Sequence, residues 1–175
     1  VLPSDGTNGD VVPTGTTYTW GNPVSSPSGV VTGGQSGTSQ TSIVGTQLFN
    51  GTSSPATLTY TVTPTSADGC EGDDFTITIT VNPEPDINNV TETICNEGTF
   101  TTVLPSDGTN GDVVPTGTTY TWGNPVSSPS GVVTGGQSGT SQTSIVGTQL
   151  FNGTSSPATL TYTVTPTSAD GCEGD

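Results

Sequence analysis

The feature that most constrains this chain is an internal duplication: residues 1–73 recur without a single change as residues 103–175. The period is therefore 102 residues, with a unique segment, 74–102 (DFTITITVNPEPDINNVTETICNEGTFTT), between the copies. That period is too long for a solenoid turn and matches one whole sandwich-sized domain. Asp175 corresponds to Asp73, so both ends fall mid-period, and the expectation is a slice of a longer tandem array. A fold that suits the first copy must also suit the second.

Charge removes several function classes. The chain has no Lys, Arg or His against 15 Asp plus Glu, a net charge of −15. Nothing here neutralises a phosphate, so nucleic acid is excluded as a partner, and anionic membrane surfaces fall on the same ground. No run approaches the length of a transmembrane helix, so membrane insertion by this segment is not expected. Any charged partner should be a cation. For catalysis only carboxylates, Ser and Thr hydroxyls and Tyr are at hand. A carboxylate pair of the glycosidase kind is formally available. A site copied in every repeat of a thin sandwich, without a cleft-forming insertion, is a poor candidate, and the expectation is no enzyme.

Hydrophobic alternation gives the fold class. Phe75, Ile77, Ile79 and Val81 face one way while Thr76, Thr78 and Thr80 face the other. Leu58, Tyr60 and Val62 alternate with Thr59, Thr61 and Thr63, and Leu160, Tyr162 and Val164 repeat the pattern. Tyr18 and Trp20 alternate with Thr17 and Thr19, which places these aromatics, with Tyr120 and Trp122, in the core rather than on a sugar-binding platform. Period-two patterns of this kind are half-buried strands, and Thr supplies β-branched propensity on the wet face. Turn signals punctuate them: Asp5-Gly6, Asn8-Gly9, Gly21-Asn22-Pro23, Ser28-Gly29, Gly33-Gly34, Asn50-Gly51 and Asp68-Gly69.

Strands are expected near 87–94, 99–104, 116–122, 130–134, 142–151 and 158–166, with a last one represented by 75–81. Seven short strands per hundred residues predict an all-β chain of tandem immunoglobulin-like sandwiches. The boundary is expected at Asn82-Pro83-Glu84-Pro85, giving domains 1–85 and 86–175. Its prolines predict a short, stiff junction. The cut implies that the first domain lacks its opening strand, the counterpart of Ile87–Ile94. The second lacks its closing strand, the counterpart of Phe75–Val81.

TYTW (17–20), LTYTVTPTSADGCEG (58–72), FTITITVNPEP (75–85) and TICNEGTF (93–100) together resemble the PKD-like domains of giant Bacteroidetes surface proteins. The gliding-motility adhesins exported by type IX secretion are members. The resemblance implies a PKD-like sandwich, an extracellular position on the cell surface, and a role as filament or adhesin stalk. Its partners would be neighbouring identical repeats, with cell or glycan targets met by a distal tip. A repeat binding module for glycans or cells, and an S-layer or sheath subunit, stand as alternatives.

In a secreted chain the cysteines point to one disulfide per domain. Cys70 and Cys172 are one position in two copies, and Cys95 is the early cysteine of the second domain. Cys95 would bond Cys172, and Cys70 would pair with a preceding repeat; two free thiols are the alternative. With no His and no CxxC, zinc is improbable. The lack of Lys removes Lys–Asn isopeptide crosslinks. Two acidic loops are candidates for calcium, the one cofactor worth weighing, although none is required. They are Asp5, Asn8 and Asp10, repeated as Asp107, Asn110 and Asp112, and the denser run Asp68, Glu71, Asp73 and Asp74. Plain turns are the alternative, since Asp-Gly and Asn-Gly suit any hairpin. Three sequons begin at Asn50, Asn89 and Asn152, where a glycosylating host would attach sugar.

Overall fold

The computed structural model describes residues 3–42 and 45–174. Its regular elements are all strands. The chain divides into two compact units, Val1–Gly51 with Pro55–Asn82, and Thr52–Ser54 with Pro83–Asp175.

The first unit contains β1 (Thr17–Trp20), β2 (Val24–Ser26), β3 (Val31–Thr32), β4 (Gly37–Gln40), β5 (Phe49–Asn50), β6 (Ala56–Thr65) and β7 (Phe75–Val81). Its spine is β6. Along one edge, β1 pairs with the Val62–Thr65 half and β2 with the Thr57–Thr59 half, both antiparallel. Along the other edge β7 pairs in unbroken register from Ala56↔Val81 to Val62↔Phe75. The outer edge of β1 carries β4. A short β3–β5 ladder forms the facing layer.

Period-two alternation on β6 builds the core. Ala56 and Leu58 are 2% exposed, Tyr60 7% and Val62 0%, and they join Tyr18, Trp20 and Val31 in one cluster. Phe75, Ile77 and Val81 close that cluster from β7. The Phe75 ring meets Tyr18 edge-on at 6.2 Å between centroids, a favoured aromatic geometry. Two polar contacts hold the ends of β7. The Thr63 hydroxyl donates to Asp74 Oδ1 at 2.6 Å, and Asn50 Nδ2 donates to the Val81 carbonyl at 2.9 Å.

The second unit places β8 (Thr119–Trp122), β9 (Val126–Ser128), β10 (Val133–Thr134), β11 (Gly139–Gln142) and β12 (Phe151–Asn152) at the positions of β1 to β5. The counterpart of β6 is split into β13 (Thr159–Thr161) and β14 (Val164–Thr167). Here β14 pairs with β8 and β13 with β9, and the far edge of both is unpaired among the described residues. Residues 97–103 run antiparallel to 145–152, through the bridges Thr99↔Gln149 and Val103↔Ile145. Phe100 from that segment packs on Tyr162 at 5.6 Å.

Three expectations need correcting. The 87–94 stretch forms no strand; only Asp86 bridges Val113, and the Asn88 side chain and backbone bond Asp112 instead. Over 142–151 the extended chain makes isolated bridges rather than a strand, and the regular strand lies earlier, at β11. Its Gly139 lacks a Cβ because the Trp122 ring lies against the backbone there, 2.4 Å from where one would stand. Finally, Pro83 and Pro85 are fully buried rather than exposed junction residues.

Candidate functional site

The acidic loops are built as self-contained turns. In the first, Gly6 N–H donates to the Asp10 carbonyl, Thr7 N–H to Ser4 and Asp10 N–H to Thr7. Asn8 takes φ +57° and Gly9 φ +85°, which Asn and Gly tolerate best. Asp5 Oδ1 accepts the Val12 N–H at 3.0 Å, and Asp107 Oδ1 accepts the Val114 N–H at the same distance. That backbone bond is the main cause holding the Asp107 carboxyl below its ordinary value. Its contribution to stability is present above the ordinary carboxylate value and fades as pH falls through the lowered one. Asp112 is buried, and its Oδ1 accepts both Asn88 N–H groups, at 2.9 and 3.3 Å. The Asn110 carbonyl accepts Asn88 Nδ2. Burial, and then the Asp112 charge, push the Tyr120 hydroxyl upward.

In the second loop Asp74 is bound to Thr63, while Asp68, Glu71 and Asp73 stand exposed. Among the described residues no group of three or more His, Cys, Asp or Glu is placed to hold a metal ion. The calcium expectation is corrected accordingly: Asp5, Asp107, Asp112 and Asp74 use their oxygens to brace loops and anchor chain segments. EDTA is expected to leave the melting temperature unchanged at physiological salt. Adding NaCl from a low-salt start is expected to raise it, by screening carboxylate repulsion. A fall with chelator, reversed by calcium, would restore the metal reading.

The cysteines lie apart. All three are free thiols, with Cys70 and Cys95 exposed and Cys172 half-buried. Cys172 closes the turn after β14, where its N–H meets Ser168 Oγ, at the pole where Thr119 pairs with Thr167. Cys95 begins the turn whose Glu97 N–H donates to the Leu150 carbonyl, at the pole beyond β13. The run from Thr159 to Thr167 separates these poles by roughly 25 Å at the usual strand rise. A disulfide needs Cα atoms within about 7 Å. The expected Cys95–Cys172 bond is therefore corrected: fold geometry sets these thiols at opposite ends of one unit. A thiol reagent is expected to titrate three thiols in the native chain, Cys70 and Cys95 ahead of Cys172. Reductant should not shift the melting temperature. A single reactive thiol would sink this assignment.

Of the sequon residues, Asn50 is 6% exposed and its amide nitrogen serves the Val81 carbonyl, so it is corrected from sugar acceptor to structural clamp. The sequence reading missed that role. The available signal was its place next to the apolar pair Leu48-Phe49, where alternation turns one residue inward. Asn152 Nδ2 donates to the Ser156 carbonyl, and Asn89 is exposed.

The second unit has a shallow groove of about 330 Å³ lined by Val90, Glu92, Thr101, Leu104 and Asp112, among others. Both its carboxylates are committed, Glu92 to the Thr101 N–H and hydroxyl and Asp112 to Asn88. Tyr18, Trp20, Tyr120 and Trp122 are all buried, as alternation predicted.

A family description, PKD-like domain, matches residues 4–85 and again 92–175. No curated protein and no solved structure matches the chain.

Proposed function

Because the chain belongs to the PKD-like domain family, we propose that it is a structural repeat segment of a long extracellular filament or adhesin stalk, of the gliding-adhesin kind its motifs resemble. PKD-like domains are commonly extracellular structural or adhesion modules, and their all-β fold is typically non-catalytic. No helix among the described residues is long and apolar enough to cross a membrane. One observation carries the reading: a stretch of 73 unchanged residues occurs twice and sets its strands at matching positions. Repetition of one whole domain extends reach, whereas a catalytic or ligand site gains nothing from an unaltered copy beside it. Inward aromatics and committed carboxylates support a spacer over a glycan-binding face. Antibody raised to this chain should label intact source cells, and external proteinase K should remove the label. Labelling only after permeabilisation would overturn the proposal.

A further inference from the structure

Two units of identical sequence differ in one respect that sequence cannot cause. In the first, Ala56, Leu58, Tyr60 and Val62 are sealed; in the second, Ala158, Leu160, Tyr162 and Val164 are all partly exposed. These are the positions that β7 pairs in the first unit, through Val81, Ile79, Ile77 and Phe75. The spine that is continuous under β7 is interrupted at Tyr162–Thr163 without it. Tyr162 also keeps a buried hydroxyl with no hydrogen-bond partner.

We infer that the β13–β14 edge is an acceptor site for an extended strand of the Asp74–Val81 sequence, offered by a separate polypeptide. The occupant follows from the first unit, where this sequence covers the same residues in a known register. Strand addition would place Phe75 opposite Val164, Ile77 opposite Tyr162, Ile79 opposite Leu160 and Val81 opposite Ala158. Main-chain bonds supply affinity, and alternate side chains set the register. Both clamps are present. Thr165 stands where Thr63 receives Asp74. Asn152 stands where Asn50 donates to Val81, its amide meanwhile directed to Ser156. The edge exposes unpaired backbone groups and an apolar stripe, the surface that natural sheets otherwise cover. The site is independent of whether the chain is a stalk.

The test adds a synthetic peptide of Asp74–Asn82 to the 175-residue chain. Saturable binding is expected, with new amide-exchange protection confined to Thr159–Thr167. A peptide carrying Ile77→Asp should bind at least about tenfold more weakly, since it would bury a charge against Tyr162. An Asn152→Ala chain, whose clamp is outside the core, should fold and bind the native peptide several-fold more weakly. A scrambled peptide binding equally well would overturn the inference. So would an absence of binding at millimolar peptide, or protection appearing on β6 through displacement of β7. If the chain self-associates, peptide should dissociate the assembly; an assembly indifferent to peptide would count against the site.

Discussion

Replacing Leu58 by Ala should cost the first unit about 3 kcal/mol, while the same change at Leu160 should cost the second about half of that or less. The local sequences are identical over 73 residues, so propensity, turn chemistry and near neighbours cancel between the two experiments. What differs is enclosure. Leu58 is 2% exposed, roofed on its open edge by β7, with Ile79 directly opposite in the register. Truncating it removes the transfer free energy of the lost methyl groups and leaves a cavity that packed neighbours cannot fill. Leu160 is partly open at an unpaired edge, so water reaches it in the native state and less burial is forfeited. Amide exchange, read separately over 56–65 and 158–167, measures both units in one sample. Equal losses would mean that β7 does not seal the first core, and would remove the ground for an acceptor edge on the second.

The parts of the fold legible in sequence were those whose pattern and burial share one cause. β7 lies where Phe75, Ile77, Ile79 and Val81 alternate with Thr, and Tyr18 and Trp20 point inward as their spacing requires. The short strand β2 (Val-Ser-Ser) was illegible because its own residues do not specify it: Val24 is 70% exposed, and pairing to Ser26 is imposed by β6. Conversely, Ile87, Val90 and Ile94 suggested a strand, but the segment is tied down by side chains, with Asn88 on Asp112 and Glu92 on Thr101. Side-chain anchorage leaves no periodic trace. The cysteines failed for a different reason. Sequence gives the separation between Cys95 and Cys172, not the pole each occupies, and pole is fixed by strand direction. Asn50 likewise reads as a sequon in one dimension and as a clamp on Val81 in three. In the acidic loops, Asp-Gly spacing fitted calcium and turns alike, and only the direction of Asp5 and Asp107 toward Val12 and Val114 separates the two.

Glycine 33 gives the second large effect. Gly33→Ala is expected to destabilise the first unit by about 3 kcal/mol or more, against about 1 kcal/mol for Gly29→Ala, the backbone penalty for an L-residue in left-handed space. Both glycines hold positive φ, +94° at Gly33 and +75° at Gly29, so that penalty is common to the two. They differ in surroundings. A Cβ at Gly29 meets nothing within 4 Å, whereas one at Gly33 would stand 2.1 Å from the Gln47 carbonyl oxygen. A backbone oxygen cannot swing aside as a side chain can. Relief requires the strands to part where Val31 pairs Asn50 and Thr32 pairs Phe49. The Gly33 carbonyl also accepts the Thr46 hydroxyl at 2.7 Å, so the same displacement breaks that bond. Parting the ladder would expose Val31, which belongs to the core, and loosen Asn50, which holds the end of β7. Local strain thus spreads to the closing strand. Gly135→Ala should reproduce the defect in the second unit, where φ is +96° and the Gln149 oxygen lies 2.2 Å from the Cβ position. Thermal unfolding of the two single variants measures the contrast, with a drop of several degrees beyond Gly29→Ala expected for Gly33→Ala. If Gly33→Ala melts with Gly29→Ala, the facing layer does not approach the chain as closely as this structure places it.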